Sequence, residues 1–184
     1  IEQPGTGNSD TYGTLVKLNS QGQIQLQTNI DSNSVDDLNP SSNSLALDSS
    51  GNIFLGSVVR YNNDDEPYLV KLNSSGVVQD GKVTIISYIA YNSQVLVRSD
   101  NQVYQVINNT TGAGSQVQPY VNYFDTSLTL QATRRINSNN SSSMYTSDAT
   151  LDSNDSIIVV GDWEFSAGEN KIYYYKYTVS GSSL

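Results

Sequence analysis

The chain has 184 residues and a formal net charge of −9, from 9 Lys and Arg against 18 Asp and Glu, with a pI near 4.2. So acidic a surface repels nucleic acid and anionic membranes, which argues against both as partners. There is no His and no Cys, which excludes Ser-His-Asp and Cys-His nucleophiles, imidazole or thiolate metal sites, and disulfides. The polarity comes instead from 28 Ser and 20 Asn, leaving carboxylates, hydroxyls and a few cations for any chemistry.

Residues 1–11, with Pro4, Gly5 and Gly7, read as a linker or the tail of a preceding unit. They have no basic start and no apolar core, so no signal peptide is read there. No apolar run in the chain approaches the roughly 20 residues that span a bilayer. The alternating run Leu15-Val16-Lys17-Leu18, the turn Asn19-Ser20-Gln21-Gly22 and the run from Gln23 predict strands at 14–18 and 23–28. An acidic loop, Asp31 to Asp37, follows. Leu45-Ala46-Leu47, the turn Asp48-Ser49-Ser50-Gly51 and Ile53-Phe54-Leu55 then predict strands at 44–47 and 52–58. A second acidic loop spans Asn62 to Glu66. No stretch of a dozen residues carries the 3.6-residue period, so almost no helix is expected.

These two hairpins recur. Leu69-Val70-Lys71-Leu72-Asn73-Ser74-Ser75-Gly76 repeats the first without a gap. Weaker copies begin at Val121 and Tyr174, and Leu18, Leu72, Phe124 and Tyr177 are separated by 54, 52 and 53 residues. The second hairpin recurs as Val95 to Gln105 and Ala149 to Val159. Two hairpins per period of about 53 residues make a four-stranded antiparallel unit that must stack on its neighbours, as the blades of a β-propeller do. The fold class expected is all-β with propeller-type blades, about three and a half of them; a β-sandwich of about 14 strands is the alternative. The units are placed at 12–60, 61–107 and 108–165, with 166–184 the first hairpin of a fourth. An open arc exposes edges and faces, so the chain reads as an excerpt, or as an arc whose ring neighbours complete. Leu15, Leu45, Leu47, Ile53, Leu55, Leu69, Val95, Val97, Val103, Leu151, Ile157 and Val159 are the expected core.

The paired sequences LVKLNSSGVVQ and LALDSSGNIFLGS resemble the bacterial β-propeller repeats called SBBP, across nearly all of residues 12–184. They are also similar to Asn- and Ser-rich repeats in virion structural proteins of tailed bacteriophages, cyanophages among them. The resemblance implies propeller blades in a tail fibre or surface appendage, and no catalytic residues. The chain departs from the SBBP pattern in lacking a Trp after the first hairpin's Gly turn, where Leu26, Asp80 and Ala132 stand.

Candidate sites are few. Asp152-Ser153-Asn154-Asp155-Ser156 spaces oxygens like a Ca²⁺ loop, but Ile157 and Trp163 occupy the sixth and twelfth positions, where that loop needs Gly and Glu. It reads as a hairpin turn. Asp36, Asp37, Asp64 and Asp65 are the candidate Ca²⁺ ligands, against a commoner meaning as solvated loop charges. Among four Glu, Glu164 beside Trp163 is the one with an apolar neighbour to raise its pKa, as paired-carboxylate glycoside hydrolysis would use, but the arginine cluster and repeated Ser-x-Asp-x-Gly-x-Thr-Trp turns of a sialidase-like enzyme are not seen. Tyr173, Tyr175 and Tyr177 share one face of a strand and form a candidate stacking surface for a partner protein or a sugar.

The leading expectation is a non-enzymatic structural and attachment protein without a cofactor, a bacteriophage virion component in a virion or extracellular setting. Its partners would be other virion or surface proteins, further copies of itself or a cell-surface glycan. The alternatives are a secreted or cell-surface bacterial propeller binding carbohydrate or protein, and a fragment of a propeller glycoside hydrolase.

Overall fold

The computed structural model describes residues 13–30, 36–39, 44–61, 64–85, 90–111, 116–136, 142–166 and 169–178. Those residues are all-β. The strands in chain order are β1 (Gly13–Leu18), β2 (Ile24–Ile30), β3 (Asp36–Asn39), β4 (Leu45–Leu47), β5 (Ile53–Tyr61), β6 (Asp64–Leu72) and β7 (Val78–Val83). They continue with β8 (Ala90–Val97), β9 (Val103–Thr111), β10 (Gln116–Phe124), β11 (Leu130–Arg135), β12 (Met144–Leu151), β13 (Ile157–Ser166) and β14 (Glu169–Tyr177). The strands expected at 14–18, 23–28, 44–47 and 52–58 are β1, β2, β4 and β5.

Four antiparallel sheets result. The first is β1-β2, the second β3/β4-β5-β6-β7, the third β8-β9-β10-β11 and the fourth β12-β13-β14. In the second sheet β3 and β4 pair with successive halves of one edge of β5, so together they act as a broken edge strand. The sheets are phased differently from the expected units. Ranges ending at 60 and 107 cut between β5 and β6 and through β9, yet β5 and β6 are paired from Ile53↔Leu72 to Tyr61↔Asp64. Asp64, Asp65 and Glu66, read as part of a loop between units, open β6, and β5 and β6 are the two middle strands of one sheet. The repeated hairpin therefore supplies the third and fourth strands of the second and third sheets, β6-β7 and β10-β11, and the second sheet runs from β3 to β7.

The tight turns explain why these polar segments fold back. Asn19, Asp48, Asn73, Asp125 and Asp152 each accept, through Oδ1, the backbone N–H groups two and four residues on. The fourth turn residue is left-handed: Gly22, Gly51, Gly76, Asn101 and Asp155 have φ of 58–78°, as a type I turn with a following bulge requires. The exception is Leu128, at φ 57°. Left-handed backbone costs a residue with a Cβ about 1–2 kcal/mol, and burying the Leu side chain between the second and third sheets returns about as much.

Each sheet packs its rear face on the front face of the next. Leu15 and Ile30 of the first sheet meet Ile53, Leu55, Val59, Val70 and Leu72 of the second. Phe54 and Leu69, on the second sheet's rear, meet Val95, Val103 and Phe124. Tyr104, Val106, Val121 and Tyr123 on the third sheet's rear meet Met144, Ile157, Val159 and Tyr173 of the fourth. Gly56 permits one of these approaches, because a Cβ there would collide with Ser93 Oγ and Val95.

Of the expected core, Leu15, Ile53, Leu55, Leu69, Val95, Val103, Ile157 and Val159 are buried, and Val97 and Leu151 are half-buried. Leu45 and Leu47 are not: they are 48% and 58% exposed. They stand opposite the buried Leu55 and Ile53 on the same front face. The first sheet, however, offers only two strands among the described residues, and these lie over β5 and β6. Leu45 and Leu47 share the front face as the alternation implies, but lie outside the part of it that the first sheet covers among the described residues.

Candidate functional site

Side-chain amides tie the sheets together beside the apolar packing. Asn108, buried on β9, pairs with the backbone of Thr146 on β12 as another strand would: Nδ2 donates to the carbonyl at 3.0 Å and Oδ1 accepts the N–H at 2.8 Å. Gln94 Nε2 donates to Ser147 O at 2.9 Å. Gln105 Nε2 donates to Tyr68 O of the second sheet at 3.1 Å and to Ser93 Oγ at 2.9 Å. Buried amides of this kind are costly unless bonded. Here they sit where adjoining strands leave backbone groups free, at the register shift between Thr146 and Asp148 for example.

A second device links successive turns. Asn101 Oδ1 accepts both the N–H and the hydroxyl of Ser49, each at 3.0 Å. Asp155 accepts the same two groups of Ser99. The hydrogen bond from the Ser99 hydroxyl holds the Asp155 carboxyl below the usual carboxylate range, and nearby Arg98 reinforces it. Thus the left-handed residue of one turn latches the Ser of the preceding sheet's turn. Gly51, at the same position in the second sheet, has no side chain with which to do so. The expected Ca²⁺-like run is therefore a turn and a latch. Asp152 also bonds Lys176 Nζ at 2.6 Å, which lowers its pKa to about 2 together with the turn N–H groups.

The other candidate residues are placed as follows. Asp36 stands opposite Arg60, and Arg60 opposite Asp65, in one row across β3, β5 and β6. Arg60 reaches Asp65 at 3.4 Å, so a cation already occupies the middle of that row. Asp64 is exposed at the start of β6. The side chains of Asp36 and Asp37 lie outside the described residues, and among the described residues no group of three acidic side chains comes together. Trp163 packs against the cluster between the third and fourth sheets. Glu164, the next residue along the strand, points to the other face, so the indole does not cover its carboxyl.

The tyrosines divide by the same alternation. Tyr173 is buried, with its hydroxyl 3.1 Å from Thr146 Oγ1, and burial pushes its pKa up to about 12. Tyr175 and Tyr177 pack beside it. The three expected as a stacking surface thus face the core. The opposite, rear face of the fourth sheet is open, with Tyr145-Asp162-Ile172, Val160-Tyr174 and Ile158-Lys176 as its cross-strand rows. Ile172 is 82% exposed, Tyr174 62% and Val160 37%. This apolar, aromatic face is the leading candidate for contact with a partner. Sequence reasoning missed it because the strand is aromatic on both sides; Val121, aligned with Tyr174 by the repeat and buried, was the available signal.

A polar groove of about 370 Å³ lies between the second and third sheets, lined by Asn52, Lys71, Gln79, Asp80, Thr126 and Ser127 among others. Lys71 is held there over the Phe54 ring, 5.5 Å from its centroid, and donates to Thr126 O at 3.1 Å. It acts as a tie between sheets.

No family model matches this chain, and no curated protein matches it.

Proposed function

We propose that the chain is a non-enzymatic structural and attachment module of propeller-type blades, carried by a bacteriophage virion as part of a tail fibre or surface appendage. One observation carries the structural half of this reading. The polar residues that the repeat keeps returning are engaged in turns and inter-sheet ties: Asp48, Asn73, Asn101, Asn108, Asp152 and Asp155 all hold backbone or a neighbouring sheet. A rigid polar stack of this kind suits mechanical display. The virion half rests on the resemblance of the repeat pair to phage and SBBP sequences.

An antibody against the chain tests it, applied to purified particles and viewed by electron microscopy. Label on fibres or appendages is the expected result. Label confined to a bacterial cell surface would replace the phage reading with a cell-surface propeller. Glycan turnover by the chain that is lost in Glu164→Gln would overturn the non-enzymatic reading.

A further inference from the structure

Asp80-Gly81 is the one Asp-Gly pair in the chain, and no Asn-Gly pair occurs. Both residues lie on β7, the end strand of the second sheet. The Thr84 N–H bonds Pro67 O, so the bonded pairs of this antiparallel ladder alternate through Leu69↔Lys82 and Lys71↔Asp80. Val70↔Gly81 is the non-bonded pair between them. The Gly81 N–H therefore faces away from β6, on an edge that no strand covers among the described residues. There it donates to Asp80 Oδ1 at 2.8 Å, while Lys82 Nζ holds Oδ2 of the same carboxyl at 3.1 Å.

We propose that Asp80-Gly81 is a site of spontaneous backbone modification, at which the Gly81 nitrogen attacks the Asp80 carboxyl to give a succinimide that opens to isoaspartate. The steps need no reagent but water. The nitrogen loses its proton and bonds Cγ, the protonated carboxyl loses its OH, and one water leaves. Water then opens the ring. Attack at the side-chain carbonyl restores Asp; attack at the main-chain carbonyl leaves the chain running through Cβ and Cγ, as isoaspartate. Three features of the fold favour the reaction. The nitrogen is not held by β6, and the Oδ1 it touches is one bond from the carbon it attacks, the proximity that makes intramolecular reactions fast. Gly81 has no Cβ to obstruct the approach, and the fold keeps it so, because a Cβ there would collide with the Tyr68 hydroxyl. Asp80 also lines the polar groove between the second and third sheets, so water reaches the ring.

Other aspartates lack this combination. Asp48, Asp125 and Asp152 turn Oδ1 toward the N–H groups two and four residues on. Asp148 Oδ1 does accept from the next N–H, at 2.8 Å, but that residue is Ala149, whose Cβ hinders attack. Isoaspartate adds a backbone carbon between Lys71↔Asp80 and Leu69↔Lys82, so β7 beyond it loses register with β6. The outer strand of the second sheet is then the first part of the protein to age. The inference does not depend on where the protein acts.

Ageing of the full chain at neutral pH and physiological temperature tests it, with trypsin digestion and electron-transfer mass spectrometry to separate isoaspartate from aspartate. Isoaspartate should accumulate at Asp80, in the peptide Leu72–Lys82, several-fold faster than at Asp148, Asp48, Asp125 or Asp152. Asp80→Glu keeps the charge but requires a less favourable six-membered ring, and should abolish the product at this position. Asp80→Asn forms the same ring with ammonia as leaving group, and should convert faster than the parent, with the mass gain of deamidation. In the aged chain, amide protection should fall at Lys82 and Thr84 while that of β5 is kept. Isoaspartate no more abundant at Asp80 than at Asp148 overturns the inference. So does an Asp80→Asn chain that keeps its amide through the same ageing.

Discussion

The third and fourth sheets are built from the same repeat but live in different surroundings. Among the described residues the third is covered on both faces and the fourth only in front. Val106 and Val160 are equivalent positions on the rear of the two sheets, yet one is 1% exposed and the other 37%. Asn108 and Asp162 are likewise equivalent. The first is buried and pairs with the Thr146 backbone, while the second is exposed and accepts from the Ser147 hydroxyl at 3.3 Å. Side-chain choice follows coverage. In these two sheets the buried position holds an amide that both donates and accepts, and the exposed one a carboxylate; in the second sheet, covered behind, the same position is the buried Val58.

Substitutions at paired positions break the comparison most sharply. Val106→Asp buries an unpaired carboxylate between two sheets and should destabilise the chain by about 4 kcal/mol or more, enough to unfold it. Val160→Asp should shift stability by no more than about 0.5 kcal/mol in dilute solution. Chemical denaturation monitored through Trp163 fluorescence measures both, and equal losses would mean that the rear of the fourth sheet is covered after all. Asn108→Ala comes next. It strands the Thr146 N–H and carbonyl, at a cost of about 2–3 kcal/mol, while Asp162→Ala should be close to neutral by the same denaturation assay.

The latch offers a finer test. Asn101→Gly keeps the left-handed backbone but removes the acceptor for Ser49, reproducing what Gly51 does naturally. A loss of about 1 kcal/mol is expected, with faster amide exchange at Ser49 and none of the turn strain that Ala would add. The smallest effect is one of pH. The Asp155 latch uses a carboxylate with a lowered pKa. Its contribution is fully present above the ordinary carboxylate value of about 4 and is lost as pH falls through the lower folded value. The Asn101 latch does not titrate. Acidification below about pH 4 should therefore lower the protection of the Ser99 amide, measured against its intrinsic exchange rate at each pH, while the protection of Ser49 stays unchanged; parallel losses at both would assign the acid response to global loosening.

Much of this architecture was legible in the chain. Turns such as Asn73 to Gly76 announce themselves because an Asx side chain and a left-handed residue meet a specific backbone need. Leu128 was not legible, since a buried Leu at positive φ contradicts local preference and is explained only by the cluster it enters. The face of the Tyr173–Tyr177 run was equally hidden. Alternation separates odd from even residues, but with tyrosines on both sides nothing local says which set points inward.

What the sequence determined by itself was therefore local and periodic: strand positions, tight turns, the step of about 53 residues, and the near absence of charge chemistry. Only the tertiary structure decided the phase of the sheets, the partners of Ser49 and Ser99, the roles of Asn108 and Gln105, and the exposure of Leu45 and Leu47. The physical reason is the range of the interactions. A turn satisfies its own hydrogen bonds within five residues, whereas burial of a strand face depends on a sheet some 50 residues away, and on whether that sheet has strands enough to reach it.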